Sequence, residues 1–112
     1  MTESRYLPKQ GDIIKLSFDP SKGHEQRGWR PAVVVSKQIL SHTSPFMWLV
    51  PISHGNYYHP LHVKLDKRTN TDGTIFTEQL KSFNYLERQP VFVESLPQDL
   101  LSQVLTNITQ TI

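Results

Sequence analysis

From residue 96 onward, apolar side chains recur at helical spacing: Leu100, Leu101, Val104, Leu105, Ile108 and Ile112. Such a stripe makes an amphipathic helix, and its apolar face must cover something apolar. Ser95-Leu96-Pro97-Gln98 has capping-box spacing at its start, with Pro in the first turn. Up to about residue 93, strand and loop signals fill the chain. Asp12 to Phe18 alternates, with Ile14, Leu16 and Phe18 against Ile13, Lys15 and Ser17. Pro31 to Ser36 is a β-branched run typical of a buried strand, with Pro where a strand tolerates one. Phe46 to Ile52, Leu61 to Leu65, Thr74 to Thr77, Gln79 to Tyr85 and Val91 to Val93 read as further strands, and Lys37 to His42 as a short helical turn. Asp72-Gly73 marks a tight turn. The expected architecture is mainly β: a small, strongly bent antiparallel sheet or barrel with a C-terminal helix on its open face. At 112 residues, one domain over 1–112 is expected.

The absence of cysteine excludes disulfides, thiolate metal sites and a thiol nucleophile. It also points to the cytoplasm, as does an N-terminus without the apolar core of a signal peptide. No apolar run is long enough to cross a bilayer. The net charge is +2, but from Glu94 onward there are two acids and no Lys or Arg. The basic excess therefore sits among the loops and strands, which allows a polyanionic partner.

One loop concentrates the chemistry. Gly23 to Pro31 offers an imidazole (His24), a carboxylate (Glu25), an amide (Gln26) and two guanidiniums (Arg27, Arg30), with Trp29 among them. Loops on a rigid β scaffold are where sites are built. A carboxylate near an arginine is a workable acid–base and anion-stabilising pair. Residue content alone leaves a solvated loop with a surface ion pair as an equal alternative.

Gly11-Asp12-Ile13-Ile14, then Phe18-Asp19-Pro20-Ser21-Lys22-Gly23-His24-Glu25-Gln26, then Arg30-Pro31-Ala32-Val33-Val34-Val35-Ser36, resemble the N-terminal signature of the MazF/PemK toxins. The likeness continues through Val50-Pro51-Ile52-Ser53 and Glu78-Gln79-Leu80-Lys81-Ser82-Phe83-Asn84 to the C-terminal helix, covering about residues 8 to 112. The resemblance implies an SH3-like β-barrel with a C-terminal helix, acting as a homodimer. It implies metal-independent cleavage of single-stranded RNA, commonly mRNA, at short sequences, with no cofactor. It also implies a labile antitoxin whose acidic and apolar segment covers the RNA site. Toxins of the same barrel fold that poison DNA gyrase lack the Glu-Gln…Arg-Pro arrangement, which separates that alternative from a nuclease; a protein that only binds RNA stays open as an alternative because of Asn84.

Carried over by motif, Arg30 stabilises the charge growing on phosphorus, because guanidinium pairs with phosphate oxygens in a planar, bidentate way; proton donation is its weaker second role, since a guanidinium is a reluctant acid. Glu25 is the expected general base; its alternative is only to orient Arg30. A glutamate's ordinary pKa of about 4.3 leaves it ionised at neutral pH. Ser53, at the Pro-x-Thr/Ser position, is the third catalytic candidate, a donor to a phosphate oxygen; its alternative is a strand-end cap. Candidate RNA contacts are Lys22, His24, Gln26, Arg27, Trp29, His54, Gln79, Lys81 and Ser82. Two residues depart from the family pattern. His54 stands where a second Ser or Thr is common, and Asn84 where Asp is common. Asn84 cannot serve as a base, which shifts weight to Glu25.

Tyr57-Tyr58-His59 is a candidate base-stacking surface. Trp48, mid-strand, reads as core or dimer interface. A metal site at His54, His59 and His62 is disfavoured: His59 and His62 lie in loop and strand, so their rings need not converge, and no carboxylate lies between His54 and His62.

Overall fold

The structure, a computed structural model, describes residues 6–19, 28–55 and 58–112. Among these residues seven strands form, β1 (Asp12–Leu16), β2 (Arg30–Val34), β3 (Phe46–Ser53), β4 (His62–Lys64), β5 (Thr74–Phe76), β6 (Lys81–Asn84) and β7 (Val91–Ser95), with helices α1 (Gln38–Thr43), α2 (Tyr85–Arg88) and α3 (Gln98–Thr109). All pairings are antiparallel, in the order β4-β5-β3-β2-β1-β7, with β6 pairing the first half of β3. The ladder does not close on itself among the described residues, so the barrel-like fold is an open one. A register shift at Ile13/Ile14 in the β1–β7 ladder adds a local bend.

Alternation in β1 and β3 feeds two cores, one on each face of the sheet. Ile13, Val33, Val50, Ile52 and Ile75 form the first, closed by Leu100, Leu101 and Val104 of α3 with Leu105 and Ile108 at its margin. The expected helical cover is thus in place, apart from Ile112, which lies past the helix and is exposed. Gly11, at φ +94°, lets the chain pass close to α3, since a β-carbon there would stand 3.0 Å from Leu101 Cδ2. The second core packs Ile14, Leu16, Ala32, Val34, Met47 and Leu49 against Tyr85 of α2, with Tyr6, Leu7, Phe18 and Phe83 at its edge. The Tyr6 hydroxyl donates to the buried carboxylate of Asp12, and burial together with this bond raises the Tyr6 pKa.

Two local expectations are corrected. Ser95 does not cap α3. Its backbone is committed to the β7 ladder opposite Asp12, and α3 starts after Pro97 without a side-chain cap. Nor does the strand from Gln79 run to Tyr85. Gln79 is held in a turn by its N–H to Phe76 O, and Asn84 ends β6 by capping α2.

Candidate functional site

The ends of β2 and β3 meet at one rim of the sheet. Ala32 pairs with Pro51 across these antiparallel strands, which carries Arg30 toward Ser53. Arg30, Pro31, Ile52, Ser53, His54 and Gly55 line one cleft of about 360 Å³. Arg30 is exposed at the first position of β2, opposite Leu16 of β1. Ser53 is half-buried and pairs with Thr74 of β5. Lys81 pairs with Leu49, so alternation along β3 sets it on the same face as Pro51 and Ser53. Ser82 pairs with Trp48 and faces the other side, so the structure separates two residues expected to act together. Gln79 is exposed in the turn before β6 and does not line the cleft. Trp29 is half-buried beside Arg30; its buried Nε1 has no hydrogen-bond partner among the described residues.

Five expected site residues, Lys22, His24, Glu25, Gln26 and Arg27, lie outside the described residues, as does Tyr57. Tyr58 is almost fully exposed.

Two carboxylates meet histidines in contacts that were not legible in the sequence, one of them at the cleft. Asp72 comes from the β4–β5 turn, and its Oδ1 lies 3.2 Å from His54 Nε2. Glu78, from the β5–β6 turn, places Oε2 3.0 Å from His62 Nε2. The His59 and His62 rings, which loop and strand placement did not require to converge, have centroids 5.1 Å apart, and with Glu78 their ligand atoms fall within 4.8 Å of one another. His59 Nδ1 is occupied, accepting from the Leu61 N–H at 3.1 Å, and His62 stacks on Phe76. None of the three lines the Arg30 cleft. An Asp-Gly pair announces a turn, but no local signal says what the turn folds against.

Asn84 is used by the fold. Its Oδ1 accepts from the N–H groups of Leu86 at 3.0 Å and Glu87 at 3.1 Å. Aspartate and asparagine cap helices about equally well, so either residue at this position can serve the helix.

A second depression is chemically different. Trp48, Ile39, Leu40, Leu80, Leu105 and Ile108 border a groove of about 660 Å³ whose described lining holds one charged group, Lys37. Trp48 is 48% exposed, so it is not core within the protomer.

Comparison with known proteins identifies the family and the fold. The family described as PemK-like, MazF-like toxin of type II toxin–antitoxin systems matches residues 9–112. The endoribonuclease toxin MazF of Escherichia coli K12 is 38% identical over 85 residues, 76% of each chain. The endoribonuclease PemK of Escherichia coli is 28% identical over 105 residues, covering 90% of this chain and 79% of PemK. The crystal structure of MazF from Deinococcus radiodurans superposes with a TM-score of 0.82 at 26% identity, over 95% of this chain and 96% of that one. The MazE–MazF complex from the same organism gives 0.83 at 24% identity, with coverage of 95% and 96%, a likeness of fold.

Proposed function

Since the chain belongs to the family of PemK-like, MazF-like toxins of type II toxin–antitoxin systems, we propose that it is an endoribonuclease cleaving single-stranded RNA, mRNA included, at short sequences. The observation that carries this reading is the convergence of Arg30 and Ser53 in one open cleft, with Lys81 on the same sheet face. RNA supplies its own nucleophile, the 2′-hydroxyl. The reaction then needs a base for that proton, a cation for the phosphorane charge and an acid for the leaving 5′-oxygen.

Arg30, exposed at the cleft, is oriented by a strand end rather than a loop and stabilises the phosphorane. The Ser53 hydroxyl donates to a phosphate oxygen. Glu25, in the segment leading to β2, takes the 2′-hydroxyl proton. Lys81 and the basic residues Lys22 and Arg27 steer the polyanion, and no metal or cofactor is required. The protein works in the cytoplasm as one domain over residues 1–112. A cognate antitoxin, acidic and apolar, covers the same cationic cleft. MazF structures are known with MazE, and a related mycobacterial endoribonuclease with its cognate antitoxin.

The apolar groove supports homodimerisation. With one charged group in its described lining it does not suit RNA, and two copies of such a face bury each other's apolar surface.

The test is incubation with unstructured RNA and its all-DNA analogue in the presence of a chelator. RNA alone is expected to be cut, with Arg30→Ala and Glu25→Ala each reducing the rate on the order of 10²-fold or more. Binding of RNA without cleavage would make the protein an RNA-binding toxin instead.

A further inference from the structure

Cleavage needs an acid for the 5′-oxygen, and a guanidinium such as Arg30 holds its protons too tightly to be a good one. Beside Arg30 and Ser53 the same cleft carries His54, where a second hydroxyl residue is usual. Imidazole is the side chain best suited to giving up a proton near neutrality. Its partner, Asp72, is delivered by a turn that the fold secures from both sides.

Glu94 of β7 accepts from the Asn70 N–H (3.1 Å), the Thr71 N–H (2.8 Å) and the Thr71 hydroxyl (2.8 Å). Arg68 bridges Asp66 and Asp99, at 2.8 Å to each, and ties the turn to α3. Gly73, at φ +120°, passes so close to β3 that a β-carbon would stand 2.8 Å from the Ser53 carbonyl oxygen. That approach sets Asp72, one residue before Gly73, beside His54, one residue after Ser53, where the pair closes at 3.2 Å.

We propose that His54 is the general acid of the reaction and that Asp72 is its positioning residue, an inference that rests on the ribonuclease reading above. The 2′-oxygen bonds to phosphorus as the base takes its proton, and the bond from phosphorus to the 5′-oxygen breaks. The His54 imidazolium gives its Nδ1 proton to that oxygen. The products are a 2′,3′-cyclic phosphate and a 5′-hydroxyl, with His54 left neutral and its Nε2–H retained by Asp72. Solvent restores the proton. Asp72 thereby decides which nitrogen is deprotonated, and among the described residues the charged groups at this ring are Asp72 and, in the cleft, Arg30.

The test uses a synthetic RNA carrying the protein's own cleavage sequence, with the scissile 5′-oxygen either intact or replaced by sulfur. A thiolate leaves without protonation, so sulfur makes a general acid unnecessary. His54→Ala is expected to slow the oxygen linkage on the order of 10²-fold or more and to cut the sulfur linkage within about threefold of the unaltered protein. Asp72→Asn is expected to lower kcat on the oxygen linkage with KM unchanged, and to spare the sulfur linkage. Equal slowing of both linkages by His54→Ala would make His54 a binding residue and overturn the proposal. No slowing of either linkage would overturn it as well. Should the unaltered protein fail to cut the oxygen linkage, the ribonuclease reading itself falls, and this inference with it. Both side chains are largely exposed, so neither substitution threatens the fold.

Discussion

Arg30, in its proposed role as charge stabiliser, illustrates how little of such a side chain's value lies in stability. It is exposed at a strand end, so Arg30→Lys is expected to change unfolding free energy by less than about 0.5 kcal/mol. Its loss of activity is expected to be large, because an ammonium cannot match two phosphate oxygens in one plane. Denaturant melts beside cleavage rates check both halves. Asn84 is the opposite case, a motif residue whose visible work is structural. Asn84→Ala removes a cap from Leu86 and Glu87 and is expected to cost about 1 kcal/mol. Asn84→Asp keeps the cap and is expected to leave stability nearly unchanged. A melting curve for each variant decides this. Trp48 was readable only to an alternative, core or interface. A β-strand pattern tells which residues share a face, but not where along the strand the covering helix stops.

At the level of elements, the β4–β5 turn is the part most sensitive to acid. Arg68 beside Asp66 pulls that carboxyl down to about 2, and holds Asp99 below its ordinary value. Burial works against ionisation of Glu94, but its bonds from Asn70 and Thr71 outweigh this and lower its pKa. Groups with depressed folded pKa values contribute stability that is complete above their unfolded values, about 4. That contribution is lost as pH falls through the folded values, toward 2 for Asp66. Amide exchange at Asn70 and Thr71 is therefore expected to accelerate as pH drops below about 4, after correction for intrinsic rates. Unchanged protection at pH 3 would contradict it. The strands themselves were legible from period-two alternation, and α3 from its stripe. Its proposed cap was not, because Ser95 satisfies a capping pattern locally while its backbone belongs to the ladder with Asp12. α2 was missed for the same kind of reason: four residues carry no period, and only the Asn84 side chain reveals it.

Over the whole molecule, two surfaces of different chemistry divide the work. The cationic rim at Arg30 and Lys81 lies on one face of the sheet, and the apolar groove at Trp48 follows the other, bordered by the last turns of α3. If the groove joins two copies, Trp48→Glu places a charge in the interface. That variant is expected to be monomeric by sedimentation at concentrations where the unaltered chain is a dimer, and a monomer in both would remove the dimer from the account. The candidate site was half legible. Arg30, Ser53 and Lys81 could be named from motifs and proved to share a cleft or a face. Asp72 could not, because its approach to His54 depends on a glycine packing against a carbonyl 20 residues earlier. No sequence window contains both.

In the proposed reaction the substrate's own 2′-hydroxyl breaks the RNA chain. A single 2′-deoxynucleotide placed on the 5′ side of the scissile phosphate tests it most directly, in otherwise unaltered RNA and with a chelator present. Cleavage at that site is expected to stop, while the all-RNA control yields a 2′,3′-cyclic phosphate and a 5′-hydroxyl by mass spectrometry. Continued cleavage at the deoxy position would contradict it.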